Sequence, residues 1–181
     1  DAEMAISDTR QRAEPIDGES DSFRFTVAAS DFDVAKSSRL PIEDEKLKSC
    51  LEPTPYLDSD VSAVREQARE IVGDETDAYR ACAKIRKWIH ANMHTRADIG
   101  ITRSASDVLK SREGVCRDYG ILFAALARSV GIPSRIATGL IYTDGAFYYH
   151  VWTECYVGEW VPFDATLPTD FVDATHIKLA E

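Results

Sequence analysis

The chain has 181 residues, enough for one domain or a domain with an appendage. Its 44% hydrophobic and 29% charged residues sort with ordinary globular proteins, which bury a core without metals or disulfides. A formal net charge of -10 and a pI near 4.9 exclude nucleic acid or an anionic membrane as the main partner, because both call for clustered Lys and Arg.

No apolar run approaches the roughly 20 residues that a membrane span requires. The nearest thing to a basic cluster, KIRKW at Lys84 to Trp88, reads as the polar face of a helix. Cys50, Cys82, Cys116 and Cys155 are far apart and form no CxxC pair, so neither metal-ligand spacing nor a disulfide scaffold is indicated. Cys50, Cys82 and Cys155 are expected to be plain thiols.

Residues 1–58 differ in character from the rest and are expected to be an N-terminal extension, or the tail and linker of a preceding β-rich domain. Residues 59–181 form the second unit. DAEMAISDTRQRAEPIDGESD is polar and acidic without a sustained period, and reads as a loop. In SFRFTVAAS, Phe23, Phe25 and Val27 alternate with polar neighbours and predict a strand. RLPIEDEKLKSCLEPTPYLDSD carries three prolines and many acids, and reads as an extended linker.

Helical spacing begins after Asp58. Ser59 or Asp60 is placed to cap a helix that Gly73 stops, with Val61, Val64, Ala68, Ile71 and Val72 in register. A second helix is predicted from about Thr76 to Met93, with Tyr79, Cys82, Ile85, Trp88 and Ile89 as its core stripe. SASDVLKSREG predicts a short third, capped by Ser104 or Ser106 and stopped by Gly114. The fourth runs from about Cys116 to Val130 and is apolar on most sides, so it should be central. Three strands in a meander follow, in SRIATGLIYT, AFYYHVWTECYV and EWVPFDAT, separated by TDG and VGE. Helices first and strands later, without βαβ alternation, indicate an α+β domain.

Cys116 opens the fourth helix. Unpaired N–H groups and the helix dipole favour an anion there, a thiolate included. The same N–H groups could hold the oxyanion formed when a thiolate attacks a carbonyl, and the preceding glycine would let a substrate backbone come close. A thiolate nucleophile also needs a base and an orienter for it. Strand alternation puts Tyr148, His150, Trp152 and Glu154 on one face, which can meet the Cys116 helix. The next strand brings Asp164 beside His150, where a carboxylate would fix the imidazole tautomer. Singly, Cys116 is equally a packed thiol, His150 a satisfied core histidine and Asp164 a turn residue. His90 and His94 have zinc-compatible spacing but no third ligand, and His176 has no evident partner.

GVCRDYGILFAALARSVGIPSR followed by YYHVWTECYVGEWVPFDAT, in the order Cys, His, Asp, resembles the transglutaminase-like superfamily. Bacterial members are similar to GxCRDYAxLxxALxRxxGIPxR, then HxWxExYxxxxWxPxDPT. This chain departs in Gly120, where alanine is usual, and Ala165, where proline is frequent. The resemblance spans roughly residues 52 to 170 and includes EPTPYLDSDVSAVREQAREIV and ACAKIRKWIHANM as lead-in helices. It implies a papain-like α+β core, with the nucleophile helix packed on an antiparallel sheet or small barrel.

The resemblance also implies roles. Cys116 is the nucleophile, His150 the general base and acid, and Asp164 the orienting carboxylate. The oxyanion would be held by the Cys116 N–H and a second donor, with Trp88 and Asn92 as candidates. Arg117, Asp118 and Trp152 are cleft candidates from the CRD and HxWxE blocks; an internal ion pair and core packing are the alternatives. The implied chemistry is acyl transfer from peptide or glutamine-type amides through a Cys thioester, hydrolysis favoured over cross-linking, on a protein or peptide substrate and without metal or cofactor. The rival readings are a non-catalytic binding module of a larger protein, a peptide N-glycanase lacking its usual cysteine pairs, and an arylamine N-acetyltransferase lacking RGGxC. The lead-in resembles exported bacterial proteins, which leans toward a periplasmic or secreted setting.

Overall fold

The computed structural model describes residues 4–19 and 22–181. Residues 1–3, 20 and 21 of the polar opening segment lie outside the described residues. The chain forms β1 (Gln11–Pro15), β2 (Phe23–Val27), α1 (Ser62–Val72), α2 (Ala78–Asn92), β3 (His94–Thr95), α3 (Ala105–Ser111) and β4 (Glu113–Gly114). Then come α4 (Cys116–Ser129), β5 (Ser134–Thr143), β6 (Ala146–Tyr156), β7 (Trp160–Phe163) and β8 (His176–Ala180). After the β1–β2 hairpin, the four helices precede the four strands of the main sheet, in keeping with the α+β reading, with only the two-residue strands β3 and β4 between them.

α4 is the axis of the molecule. Every residue from Asp118 to Ala127 is buried. α1, α2 and α3 pack on one side of it, and β5 and β6 on the other. Its apolar length explains this position, since a helix hydrophobic all round has to be covered all round. Val64, Ala68, Cys82, Ile85, Ile89, Val108 and Leu109 supply the helical side of the core.

The meander gains a fourth strand. The sheet order is β7-β6-β5-β8, all antiparallel, and among the described residues it is an open sheet rather than a barrel. The long β5–β6 hairpin turns at Asp144 and Gly145, both with positive φ, as a tight two-residue turn demands. β8 comes so close to β5 that a Cβ at Gly139 would lie 1.9 Å from the Ile177 carbonyl oxygen, so only glycine fits there.

Other local features differ from the sequence reading. α1 starts at Ser62 with Val61 at its N-cap and no side-chain cap; Ser59 is buried in the turn before it. Asp58 instead bonds the Ser106 amide (3.0 Å) at the start of α3, which Ser104 caps as expected. α3 ends on Arg112 in the left-handed region, and Gly114 belongs to β4.

Within the polar opening segment, read as a loop, Gln11–Pro15 form a strand. β1 pairs with β2 across five residues. This hairpin packs toward β8, and the Gln11 side-chain amide donates to the Lys178 carbonyl (2.7 Å) and accepts its N–H (2.8 Å), imitating a neighbouring strand. The proline-rich segment runs over the domain surface: Ser38 N–H donates to Val157 O (2.7 Å) and Leu40 N–H to Thr76 O (2.9 Å).

Candidate active site

The N-terminus of α4 is built by Asp118. Its Oδ2 accepts the Val115 N–H at 3.0 Å, the reciprocal half of a capping box. Its side chain is wholly buried and paired with Arg103 at 3.3 Å, with Arg117 further off at 3.9 Å. Gly114 makes room for it: a Cβ there would stand 2.5 Å from the Asp118 Cβ. The glycine therefore serves the approach of Asp118, which fills the space that a substrate backbone was expected to use.

Arg117 turns away, donating to Ile101 O at 2.6 Å and Ile99 O at 3.5 Å, and so ties the 99–101 loop to the helix start. Cys116, immediately before it, is half-buried and in no disulfide. Burial pushes its thiol up. The hydrogen bond and charge of His150, with the Val151 and Arg117 N–H groups, outweigh that and hold it below the ordinary thiol range.

His150 reaches the thiol at the tip of α4 rather than along its flank. The flank is covered by the other face of β6: Thr153 Oγ1 donates to Gly120 O at 3.0 Å, and Val151 lies against Gly120. Alternation along β6 was read correctly, but the faces are exchanged. The residue opposite Val151, Thr153 and Cys155 projects into a second layer, where His150 Nε2 meets Asp164 Oδ2 at 2.7 Å. Burial pulls the imidazole down, yet the bonds and charges of Asp164 and Cys116 raise it from 6.5 to about 9.

Asp164 lies just beyond β7 and is buried. Its Oδ1 accepts from Thr166 N–H (2.8 Å) and Thr166 Oγ1 (2.7 Å). Its Oδ2 meets a second imidazole as well, His176 Nε2 at 3.1 Å. Burial raises the carboxyl, but His150 and His176 lead a set of donors that leave it far below the usual carboxylate range. His90 fixes the next residue, its Nδ1 standing 3.2 Å from Ala165 O.

Sequence reasoning missed His176. It begins β8 fully buried, in a strand whose polar residues His176 and Lys178 face inward while Ile177 and Leu179 stay half-exposed. The alternation in HIKLA was a strand signal, inverted in polarity. Lys178 finds Asp8 (2.8 Å) and Glu154 (3.0 Å) in the same layer.

Trp152 is buried and stacks edge-on against His176, with ring centroids 5.4 Å apart, and lies 6.1 Å from His150. It packs the two imidazoles. Trp88 lies under the Arg112 guanidinium (5.3 Å), and the Asn92 amide donates to Trp88 O (2.8 Å) within α2.

His150, Asp164 and His176 are the group among the described residues whose ligand atoms fall within 4.8 Å of one another, as a metal would need. Both imidazole nitrogens already face the carboxylate at hydrogen-bond distance, which accounts for the arrangement. His90 and His94 are not in such a group.

A thiol at a helix tip, beside an imidazole that is hydrogen-bonded to a buried carboxylate, offers the side chains that cysteine-dependent chemistry uses. The sequence model of the transglutaminase-like superfamily matches residues 65–165, and the chain belongs to that superfamily. The chain is similar to a candidate cysteine protease of known structure from Cytophaga hutchinsonii, with 28% identity and a TM-score of 0.69 over 80% of this chain and 50% of that one. It shares its fold with the periplasmic domain of TgpA from Pseudomonas aeruginosa, at 19% identity and a TM-score of 0.54 over 69% of this chain and 48% of that one. An uncharacterized Mycobacterium leprae protein is 24% identical over 144 residues, which are 72% of this chain and 48% of the relative. An uncharacterized Haemophilus influenzae protein is 29% identical over 160 residues, 72% of this chain and 41% of that relative. The chain thus spans about half the length of these curated relatives or less. Family and neighbours together support a cysteine-dependent activity.

Proposed function

We propose that the protein catalyses acyl transfer from amides through a Cys116 thioester, with hydrolysis favoured over cross-linking. The observation that carries this reading is the 2.7 Å bond between His150 Nε2 and Asp164 Oδ2, with Cys116 opening α4 close enough to the same ring for His150 to lower its thiol pKa. Asp164 occupies Nε2, which leaves Nδ1 to face the sulfur. An imidazolium held between a thiol and a carboxylate stabilises the thiolate and stores the proton that a leaving amine requires.

The thiolate attacks the carbonyl carbon of a peptide or glutamine-type amide. The carbonyl electron pair moves to oxygen, beside the Cys116 N–H at the helix N-terminus. His150 gives its proton to the nitrogen as the C–N bond breaks, and the amine leaves. Water then attacks the thioester; His150 takes its proton and later returns it to the departing sulfur. Asp164 keeps the ring oriented throughout. Hydrolysis is favoured because the similar Cytophaga hutchinsonii protein is a candidate cysteine protease.

The test uses casein and glutamine-peptide panels, with Cys116→Ala as control. Amine or ammonia release by the wild type and none by the variant is the expected result. Equal signals from both proteins would leave a binding module in place of an enzyme. Incorporation of a lysine analogue in preference to hydrolysis would reverse the order of the two acceptors.

A further inference from the structure

We propose that His176 is a positioning residue of this site: by donating to the same Asp164 oxygen as His150, it limits how tightly Asp164 holds the His150 proton. The inference rests on the triad reading above. His150 Nε2 and His176 Nε2 stand 2.7 Å and 3.1 Å from one oxygen, Asp164 Oδ2. The two rings are 5.5 Å apart, edge to face. An oxygen that serves two donors has less electron density to offer each of them. Whatever His176 takes from Asp164 is lost to His150.

The placement of His176 is over-determined. Its Nδ1 faces Asp173 Oδ1 at 3.2 Å and Thr175 Oγ1 at 3.3 Å. The Asp173 carboxylate in turn accepts the Thr175 N–H at 3.0 Å. Arg10 clamps the backbone, donating to His176 O and Asp173 O, each at 3.1 Å. Trp152 closes the apolar side of the ring. These contacts fix where Nε2 points. The ring itself is 0% exposed, so it is no solvent-facing histidine.

The charged and titratable groups around the pair are few. Cys116 on α4, Asp164 after β7 and His176 on β8 face His150. Asp164, Asp173 and His150 face His176, with the Arg10 guanidinium on its carbonyl. Removing the His176 donor leaves Asp164 to His150 alone and strengthens its hold on that proton. The imidazolium should then persist to higher pH.

The experiment follows iodoacetamide alkylation of Cys116 against pH, with Cys50 as internal reference, in the wild type, His176→Gln and His176→Phe. The glutamine amide can donate from nearly the place of Nε2; the phenylalanine ring cannot. In His176→Phe the alkaline step of the Cys116 profile is expected to move up by about 0.4–1 pH unit, the net worth of one ordinary hydrogen bond. His176→Gln should stay within a third of that shift. Identical profiles in all three proteins, or equal shifts in both variants, overturn the proposal. So does a fall in rate that follows the melting temperature without moving the profile.

Nitrogen-15 spectra of the wild-type imidazoles give a reading that needs no variant. His176 Nε2 should carry a proton on both sides of the His150 titration, and a bare Nε2 overturns the proposal. Failure of the triad reading looks different: Cys116 would alkylate no faster than Cys50 in the wild type, while the imidazole spectra would still report on His176.

Discussion

Asp118 and Asp164 are buried carboxylates at two corners of one site, and their partners differ in kind. Around Asp118 stand a backbone N–H and the guanidinium groups of Arg103 and Arg117, none of which changes charge near neutral pH. Around Asp164 stand two imidazoles and a threonine, and an imidazole, unlike a guanidinium, can give up and take back a proton in water. The first carboxylate is part of the frame that aims the thiol. The second, in the proposed mechanism, takes part in the proton traffic. Burial is common to both, so the role follows from what the partners can do with a proton.

Variants at the two corners should therefore separate activity from stability. The largest effect expected is on turnover in Asp164→Asn: a loss of about 10²–10⁴-fold, the usual worth of a disrupted acid–base partner. Its melting temperature should fall at pH 6, where the contribution of the His150 bond is complete, and fall less above pH 9. The same variant tests the pH dependence. Asp164 helps raise His150 from 6.5 to about 9, so the stability this bond contributes is complete below about 6.5 and disappears as pH rises through about 9. Melting curves across that window should slope downward in the wild type and flatten in Asp164→Asn; parallel curves would remove the linkage.

Next comes Asp118→Ala, where denaturant unfolding should show a loss of about 2–4 kcal/mol, since it strips the cap of α4 and takes one partner from the half-buried Arg103. Residual activity per folded molecule should exceed that of Asp164→Asn. The reverse order would make Asp118 part of the chemistry. Gly114→Ala should cost about 1–3 kcal/mol by overpacking the Asp118 side chain, and a neutral result would show that the 2.5 Å approach relaxes freely. Smallest is Arg10→Ala, at about 1 kcal/mol for its exposed share of hydrogen bonds to Ala28, Asp173 and His176 carbonyls. It should leave the unfolding cooperative.

The same contrast explains what could be read in advance. α4 was legible because its pattern is local: a run of apolar residues from Ile121, ended by Gly131 and Pro133. His150 and Asp164 were legible because they sit in a long motif on adjacent strands. The orientation of β6 was not, since alternation yields two faces and only the packing of Gly120 against Val151 and Thr153 says which one covers α4. β1 and β8 escaped for a further reason. Their inward residues Gln11, His176 and Lys178 are polar and are satisfied by partners more than 20 residues away or from the same layer. A hydrophobic period cannot report a strand that buries its polar side. Gly114 was assigned to substrate approach because nothing in a linear sequence places the Asp118 side chain in that space.

The Arg10 clamp bears on the order in which the site is made. Its bond to His176 O closes a span of 166 residues, whereas His150 and Asp164 are 14 apart and joined by a hairpin. Closing a long loop is entropically dearer and slower than zipping a local one. As the chain leaves the ribosome, the thiol helix comes first, then the histidine strand, then the carboxylate that orients it. The second imidazole can be locked only after β8 has folded back to the hairpin made at the start. In that order the contact between Asp164 and His150 can form before the Arg10 clamp on the His176 backbone closes.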